Sequence, residues 1–135
     1  MVRLPSMLHA YEATPQPTVL LAGRQREALR LFGIVLEGFG YVFFECADAE
    51  SAEEVIRKSP PNLAIVDSGL EEAELVCAMI LEQEDCPLLL LVDESCEEPE
   101  RLKQAMGASA WQNLGAEPEH LLEALRRLLN PVPAE

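Results

Sequence analysis

The sequence predicts an α/β fold in which five parallel strands alternate with five helices, a doubly wound (βα)5 arrangement of three layers. Short apolar runs alternate five times with amphipathic segments, and the connections between them are short. The apolar run 63–66 ends at Asp67-Ser-Gly, which is typical of a strand buried on both faces. Because functional groups of such folds lie at the carboxyl ends of the strands, Asp67 is the first candidate site residue.

The first half of the chain contains two strand–helix units. We predict strands at 18–22 and 41–46, and helices at 25–39 and 48–59. Gly33 lies inside the first helix, where it should cost about 1 kcal/mol relative to alanine. Six apolar residues recur at helical spacing in this helix and are predicted to face the core: Ala28, Leu31, Phe32, Val35, Leu36 and Phe39.

The second half repeats the pattern three more times. Its strands and helices alternate, with predicted bounds of 63–67, 71–83, 88–92, 98–106, 109–113 and 117–130. The last strand is the most polar, so we place it at an edge of the sheet. The third helix is predicted to bury Leu75, Val76, Met79 and Ile80.

Length and composition fit one domain. Prolines and aperiodic sequence flank the periodic region, so we divide the chain into a flexible leader at 1–17, a folded domain at 18–130 and a tail at 131–135. Of the four cysteines, Cys77 lies in an apolar helical pattern and Cys86 directly precedes a strand. We expect these two to be buried, unreactive thiols.

Charge and missing motifs exclude several classes of function. A net charge of −14 repels phosphate backbones and anionic lipids, so we expect neither a nucleic-acid nor a membrane role. No apolar run reaches the ~18 residues of a membrane span. No secretory signal or C-x-x-C pair is visible, which favours the cytoplasm. Because there is no G-x-G-x-x-G or P-loop sequence, we do not expect an enzyme.

Local signatures at the element boundaries resemble those of one family, the receiver domains of bacterial response regulators. The resemblance covers 18–130 and implies their flavodoxin-like topology. The matching segments precede strands or open helices: Gly40-Tyr41, Ala47-Asp48-Ala49, Pro61-Asn62-Leu63 leading to Asp67, Pro87, Gly107-Ala108-Ser109 and Glu117-Pro118-Glu119-His120-Leu121.

The resemblance implies a phosphoryl-transfer site, most of which this sequence lacks. In the family, the Asp that ends strand three accepts a phosphoryl group from a histidine kinase. It does so with Mg²⁺, which is held by two acids after strand one together with the acceptor Asp and a carbonyl. A hydroxyl at the end of strand four and a Lys at the end of strand five bind the phosphoryl oxygens. Only Asp67 remains here, because the supporting positions fall on Gly23, Arg24, Val92 and Leu114.

We therefore expect no bound cofactor. A single carboxylate holds Mg²⁺ poorly, since this ion requires several oxygen ligands in octahedral geometry. Two placements of Arg24 are open: its guanidinium pairs with Asp67 in the space of the metal, or it points into solvent. We interpret Asp93 and Glu94, which follow the fourth strand, as solvated loop charges rather than replacement ligands.

The predicted function is a phosphorylation-independent interaction module of two-component signalling, with a protein such as a histidine kinase or an output domain as its partner. The alternative is a genuine receiver that is phosphorylated on Asp67. Trp111 occupies the switch-aromatic position of the family, whose partners bind the face of helix four, strand five and helix five. Four basic residues on helices four and five favour a homodimer or an acidic partner at this face: Arg101, Lys103, Arg126 and Arg127.

Overall fold

The computed structural model describes residues 17–129, in which five strands alternate with five helices. The strands are β1 (Thr18–Ala22), β2 (Val42–Cys46), β3 (Leu63–Asp67), β4 (Leu88–Val92) and β5 (Ala110–Asn113). The helices are α1 (Arg26–Gly38), α2 (Ala49–Lys58), α3 (Ala73–Leu81), α4 (Pro99–Met106) and α5 (Pro118–Leu129). The predicted leader, apart from Pro17, and the predicted tail lie outside the described residues.

All five strands are parallel and form one sheet in the order β2-β1-β3-β4-β5. The predicted fold is therefore confirmed, as is the edge position of β5. Strand β2 is added on one side of β1, and β3, β4 and β5 are added on the other side. The strand order therefore reverses between β1 and β3, and the crevice of this fold lies at the carboxyl ends of those two strands. The register pairs Ala22 with Val66, and this places Gly23 beside Asp67 at the carboxyl edge.

Two apolar cores lie on opposite faces of the sheet. Helices α1 and α5 cover one face, mainly with leucines: Leu29, Leu36, Leu121, Leu122 and Leu125. Helices α2, α3 and α4 cover the other with a mixture of side chains, among them Ala52, Ile56, Val76 and Ile80. Every residue of β3 and β4 is buried, as expected for central strands of a parallel sheet. Cys77 and Cys86 are buried as predicted.

The buried face of α1 differs from the predicted one. Leu31 and Phe39, which were predicted to face the core, are 64% and 54% exposed. Phe32 and Leu36 are buried as predicted, and they share the buried side of the helix with Leu29 and Gly33. Apolar residues surround most of α1, so their spacing fits more than one face, and contact with the sheet selects among them.

Gly33 allows α1 to approach the sheet closely. A Cβ at this position would lie 2.4 Å from two ring carbons of Phe43 on β2. No such contact is compatible with van der Waals radii, so a side chain here would displace either the ring or the helix. The glycine that weakens the helix as an isolated segment is thus required by its packing.

Helix starts explain the other difference in bounds. Asp48 begins α2 as predicted, because its Oδ1 accepts a hydrogen bond from the Ser51 backbone N–H at 2.8 Å. Helix α3 begins two residues later than predicted, since Glu72 has a left-handed backbone (φ 66°) that breaks the helix before Ala73. Leu75 was predicted to be buried but is 50% exposed, because Ala73, Val76, Cys77 and Ile80 form the buried side of this helix.

Candidate functional site

Asp67 ends β3 at the carboxyl edge of the sheet, where the sequence placed it. It is only 4% exposed, and it is the one charged side chain that the structure buries within residues 17–129. Its Oδ1 accepts a hydrogen bond from the Gly69 backbone N–H at 2.9 Å. This local turn satisfies part of the carboxylate without help from another strand.

The first degenerate acid position, Gly23, lies directly against Asp67. A Cβ on Gly23 would be 2.9 Å from the Asp67 Cβ and 3.1 Å from Cδ1 of Leu29. The Asp67 Oδ2 would be 3.5 Å from the same point. The space that a side chain at position 23 would need is therefore already filled, so the backbones of β1 and β3 meet here without room for a second carboxylate.

The second degenerate position, Arg24, is exposed and extends over Gly69. Its Nη2 lies 2.8 Å from where a Gly69 Cβ would be, and the Asp67 Oδ1 lies 3.5 Å from the same point. The two side chains do not approach within ion-pair distance, so the structure does not contain the predicted Arg24–Asp67 pair. The structure agrees with the other placement, in which Arg24 points into solvent. There the exposed guanidinium keeps its hydration, while the Gly69 backbone N–H binds the Asp67 carboxylate.

The degenerate hydroxyl and lysine positions are part of the apolar cores. Val92 is 1% exposed and packs on the side of α2, α3 and α4. Leu114 packs against the opposite core, beneath α1 and α5. Their backbones are joined by a hydrogen bond from the Leu114 N–H to the Val92 carbonyl at 2.8 Å. Neither side chain has a polar atom to offer a phosphoryl oxygen.

Sequence analysis missed Asn113, which lies between these two positions. It ends β5 opposite Val92, and its Oδ1 is buried without a hydrogen-bond partner. A polar residue at the last position of a strand was the available signal.

Trp111, predicted to be the switch aromatic, is hydrogen-bonded to α4. The indole Nε1–H donates to Glu100 Oε1 at 3.2 Å, while the ring packs half-buried on the core of α2, α3 and α4. Lys103 holds the same carboxylate through a 2.8 Å ion pair. The hydrogen bond from Lys103, followed by its charge and by the bond from Trp111, lowers the pKa of Glu100. The ring is thereby linked to α4 by a hydrogen bond while it packs on the core that includes β4.

Three of the four basic side chains on α4 and α5 are paired within their own helices. The pairs are Arg101–Glu98 at 3.0 Å, Lys103–Glu100 at 2.8 Å and Arg127–Glu123 at 3.2 Å. The fourth, Arg126, lies over the ring of Phe39 at 5.3 Å from its centre. Such exposed pairs contribute little stability, but they reduce the positive potential that the sequence suggested for this face.

The residues at the carboxyl edge do not fit Mg²⁺. Asp67 offers one carboxylate there, and one of its oxygens already accepts from Gly69. Asp93 uses its own carboxylate in a loop, with Oδ1 3.4 Å from the Ser95 backbone nitrogen. Within the part of the chain that the structure describes, no three His, Cys, Asp or Glu side chains come together in a metal-binding group.

Solved structures similar to this one are receiver domains. Chemotaxis response regulator CheY4 of Vibrio cholerae matches with a TM-score of 0.75 and 24% identity, over 84% of this chain and 99% of that one. A response regulator receiver protein from Burkholderia phymatum gives 0.77 and 14% identity, over 89% and 100%. NtrX from Brucella abortus gives 0.77 and 19% identity, over 84% of this chain and 26% of that longer one.

The structural matches identify a class of fold. No family model matches the sequence, and no curated protein matches it. The chain has the receiver fold of response regulators, as the resemblance predicted. Between residues 17 and 129, no helix is both long enough and apolar enough to cross a bilayer.

Proposed function

We propose that this chain is a receiver-like domain of two-component signalling that works in the cytoplasm by contacting other proteins, independently of phosphorylation and without catalysis of its own. The observation that carries the proposal is the packing of Gly23 against Asp67. It leaves the one remaining acid of the site without space for a second carboxylate beside it. The other supporting positions, Val92 and Leu114, are apolar and packed into the cores.

Physical chemistry argues against phosphorylation in such a pocket. Phosphoryl transfer is catalysed by positioning and by neutralising charge on the transferred group, mainly through a metal ion and cationic donors. Asp67 has no cationic side chain within ion-pair distance, because Arg24 extends over Gly69 rather than toward the Asp67 carboxylate. A phosphoryl group on Asp67 would place about −1.5 to −2 charges next to apolar side chains, where the carboxylate alone carries a single charge.

The contact surface that this proposal assigns to a partner comprises α4, β5 and α5. Trp111 and its bond to Glu100 give it a fixed aromatic element, which is a frequent anchor at protein interfaces. A partner of different sequence, such as a histidine kinase or an output domain, fits this surface better than nucleic acid or membrane, given the charge of −14. A homodimer through this face stays a prediction, for which the paired basic side chains give little electrostatic support.

The competing function is a receiver phosphorylated on Asp67, favoured by the position of this acid at the end of β3. Intact-mass measurement after incubation with acetyl phosphate and Mg²⁺ separates the two. We expect no added phosphoryl group on the wild type, and none on Asp67→Asn, which serves as the matched control. An adduct on the wild type that Asp67→Asn lacks would refute the proposal.

A Mg²⁺ titration by calorimetry tests the donor set separately. The wild type should give no binding heat at millimolar metal, because one carboxylate holds this ion poorly. Arg24→Asp returns an acid to the exposed position without filling the space at Gly23, and it should bind Mg²⁺ more tightly than the wild type. Equal binding by the two proteins would contradict the argument.

A further inference from the structure

One surface of this acidic protein combines exposed apolar side chains with a balanced charge. Leu31, Ile34 and Phe39 are 64%, 56% and 54% exposed. Leu31 and Ile34 are neighbours at helical spacing, and Val35 connects Leu31 to Phe39 along the same side of α1. Arg126 of α5 lies over the Phe39 ring, so this stripe continues toward α5. We refer to Leu31, Ile34 and Phe39 as the α1 stripe.

Charge is distributed unevenly over the fold. Residues 47–100, which include α2, α3 and their loops, contain 16 acidic and 2 basic residues. Helices α1 and α5, which lie together on the other face of the sheet, contain 4 acidic and 4 basic residues between them. The negative charge of the protein therefore lies mostly away from the α1 stripe.

We propose that the α1 stripe is the centre of an interface with a second copy of this chain. Two copies that met through any acidic part of the surface would bring like charges together, which costs several kcal/mol in an interface. A two-fold pairing through α1 instead joins the neutral faces and directs both acidic regions outward. The charge of the protein thus favours this face over the acidic ones for contact between two copies.

The charges along α1 also suit an antiparallel pairing with its own copy. The first half of the helix holds Arg26, Glu27 and Arg30, with a net charge of +1, and the second half holds Glu37. A two-fold axis near Leu31 and Ile34 packs these two side chains against their equivalents and brings the basic half of each helix to the acidic half of the other. This complementarity is present in one sequence and needs no different partner.

The interface is expected to be weak. A standard interface buries about 800 Å² on each partner, and three half-exposed side chains with their neighbours on α5 supply only part of that area. We therefore expect a dissociation constant on the order of 10 µM. The proposal does not depend on whether Asp67 is phosphorylated, so its failure leaves the proposed function untouched.

Sedimentation equilibrium of the full chain over about two decades of concentration around 10 µM tests the proposal. Leu31→Gln with Ile34→Gln should weaken dimerisation by at least about tenfold, because each substitution occurs twice in the interface. Leu75→Gln with Leu81→Gln is the matched control on α3, where both leucines are about equally exposed, at 50% and 52%. This control should dimerise as the wild type does, and circular dichroism verifies that both variants fold.

Salt provides a second readout. If neutral apolar faces join two chains of charge −14, added salt screens the remaining repulsion and strengthens the dimer. A wild type that stays monomeric at every concentration would overturn the proposal, and so would equal weakening by both double variants. A dimer that salt weakens and that Trp111→Ala abolishes would place the interface on α4, β5 and α5 instead.

Discussion

Replacing Gly23 by alanine should destabilise the protein, because the new Cβ would lie 2.9 Å from the Asp67 Cβ and 3.1 Å from Cδ1 of Leu29. Both distances are shorter than the ~3.5–4.0 Å at which carbon atoms attract each other. The Asp67 Cβ cannot rotate away, since it is attached to the backbone of a buried strand. Overpacking of this kind costs about 1–3 kcal/mol.

A smaller effect opposes this cost. Alanine restricts the unfolded chain more than glycine does, which stabilises a loop position by about 0.4–1 kcal/mol. The expected net loss is therefore about 1–2 kcal/mol in the free energy of unfolding. Gly23→Asp should lose more, which would explain why an acid cannot simply be returned to this position.

Gly69→Ala is the matched control at the same edge of the sheet. Its Cβ would meet the Arg24 guanidinium at 2.8 Å, but this side chain is exposed and flexible, so it can move away. We expect a change within about 0.5 kcal/mol. Urea unfolding followed by circular dichroism measures both variants. If Gly23→Ala were as stable as the wild type, or if Gly69→Ala lost as much, the close packing inferred around Asp67 would be refuted.

Three further predictions concern the rest of the fold. Gly33→Ala should destabilise α1 despite the better helix propensity of alanine, because its Cβ would contact the Phe43 ring. Gly38→Ala has open space around it and should stabilise the same helix by up to about 1 kcal/mol. Urea unfolding that found Gly33→Ala more stable than Gly38→Ala would contradict this prediction. Burial raises the pKa of three thiols to about 11, so alkylation followed by mass spectrometry should modify the partly exposed Cys96 first and should spare Cys46, Cys77 and Cys86. Because these thiols ionise near 9 once the chain unfolds, their contribution to stability should be complete below pH 9 and fall as pH rises toward 11.

The positions of the strands could be predicted because each is a short apolar run with a clear boundary. Thr18–Ala22, Leu63–Asp67 and Leu88–Val92 have the predicted bounds. A strand that is buried on both faces of the sheet can be recognised as an unbroken apolar run, without any periodicity. The location of Asp67 followed from its place at the end of such a run.

The orientation of α1 could not be predicted in the same way. Leu29 is 3% exposed and was missed, while Leu31, two residues later, was assigned to the core and is 64% exposed. Both leucines fit an apolar stripe, and the packing of the whole helix on the sheet, including the close approach of Gly33 to Phe43, determines which one is buried. Sequence periodicity does not contain that information.

The side-chain contacts at the site could not be predicted from the sequence for a related reason. The guanidinium of Arg24 and the carboxylate of Asp67 are brought to the same edge by the fold, but Gly69 donates to the carboxylate first. A long exposed side chain has many rotamers, and a neighbouring backbone N–H competes with it at a lower entropic cost. Asn113 likewise emerged only when the register placed it opposite Val92.

The bond between Trp111 and Glu100 gives this protein a built-in optical probe. The sequence contains one tryptophan, so all indole emission arises from the junction of β5 and α4. Emission from an indole depends on how its N–H is bonded and on how much water reaches the ring. A molecule that displaces α4 should therefore shift the emission spectrum of the unlabelled protein, and one that binds elsewhere should leave it unchanged.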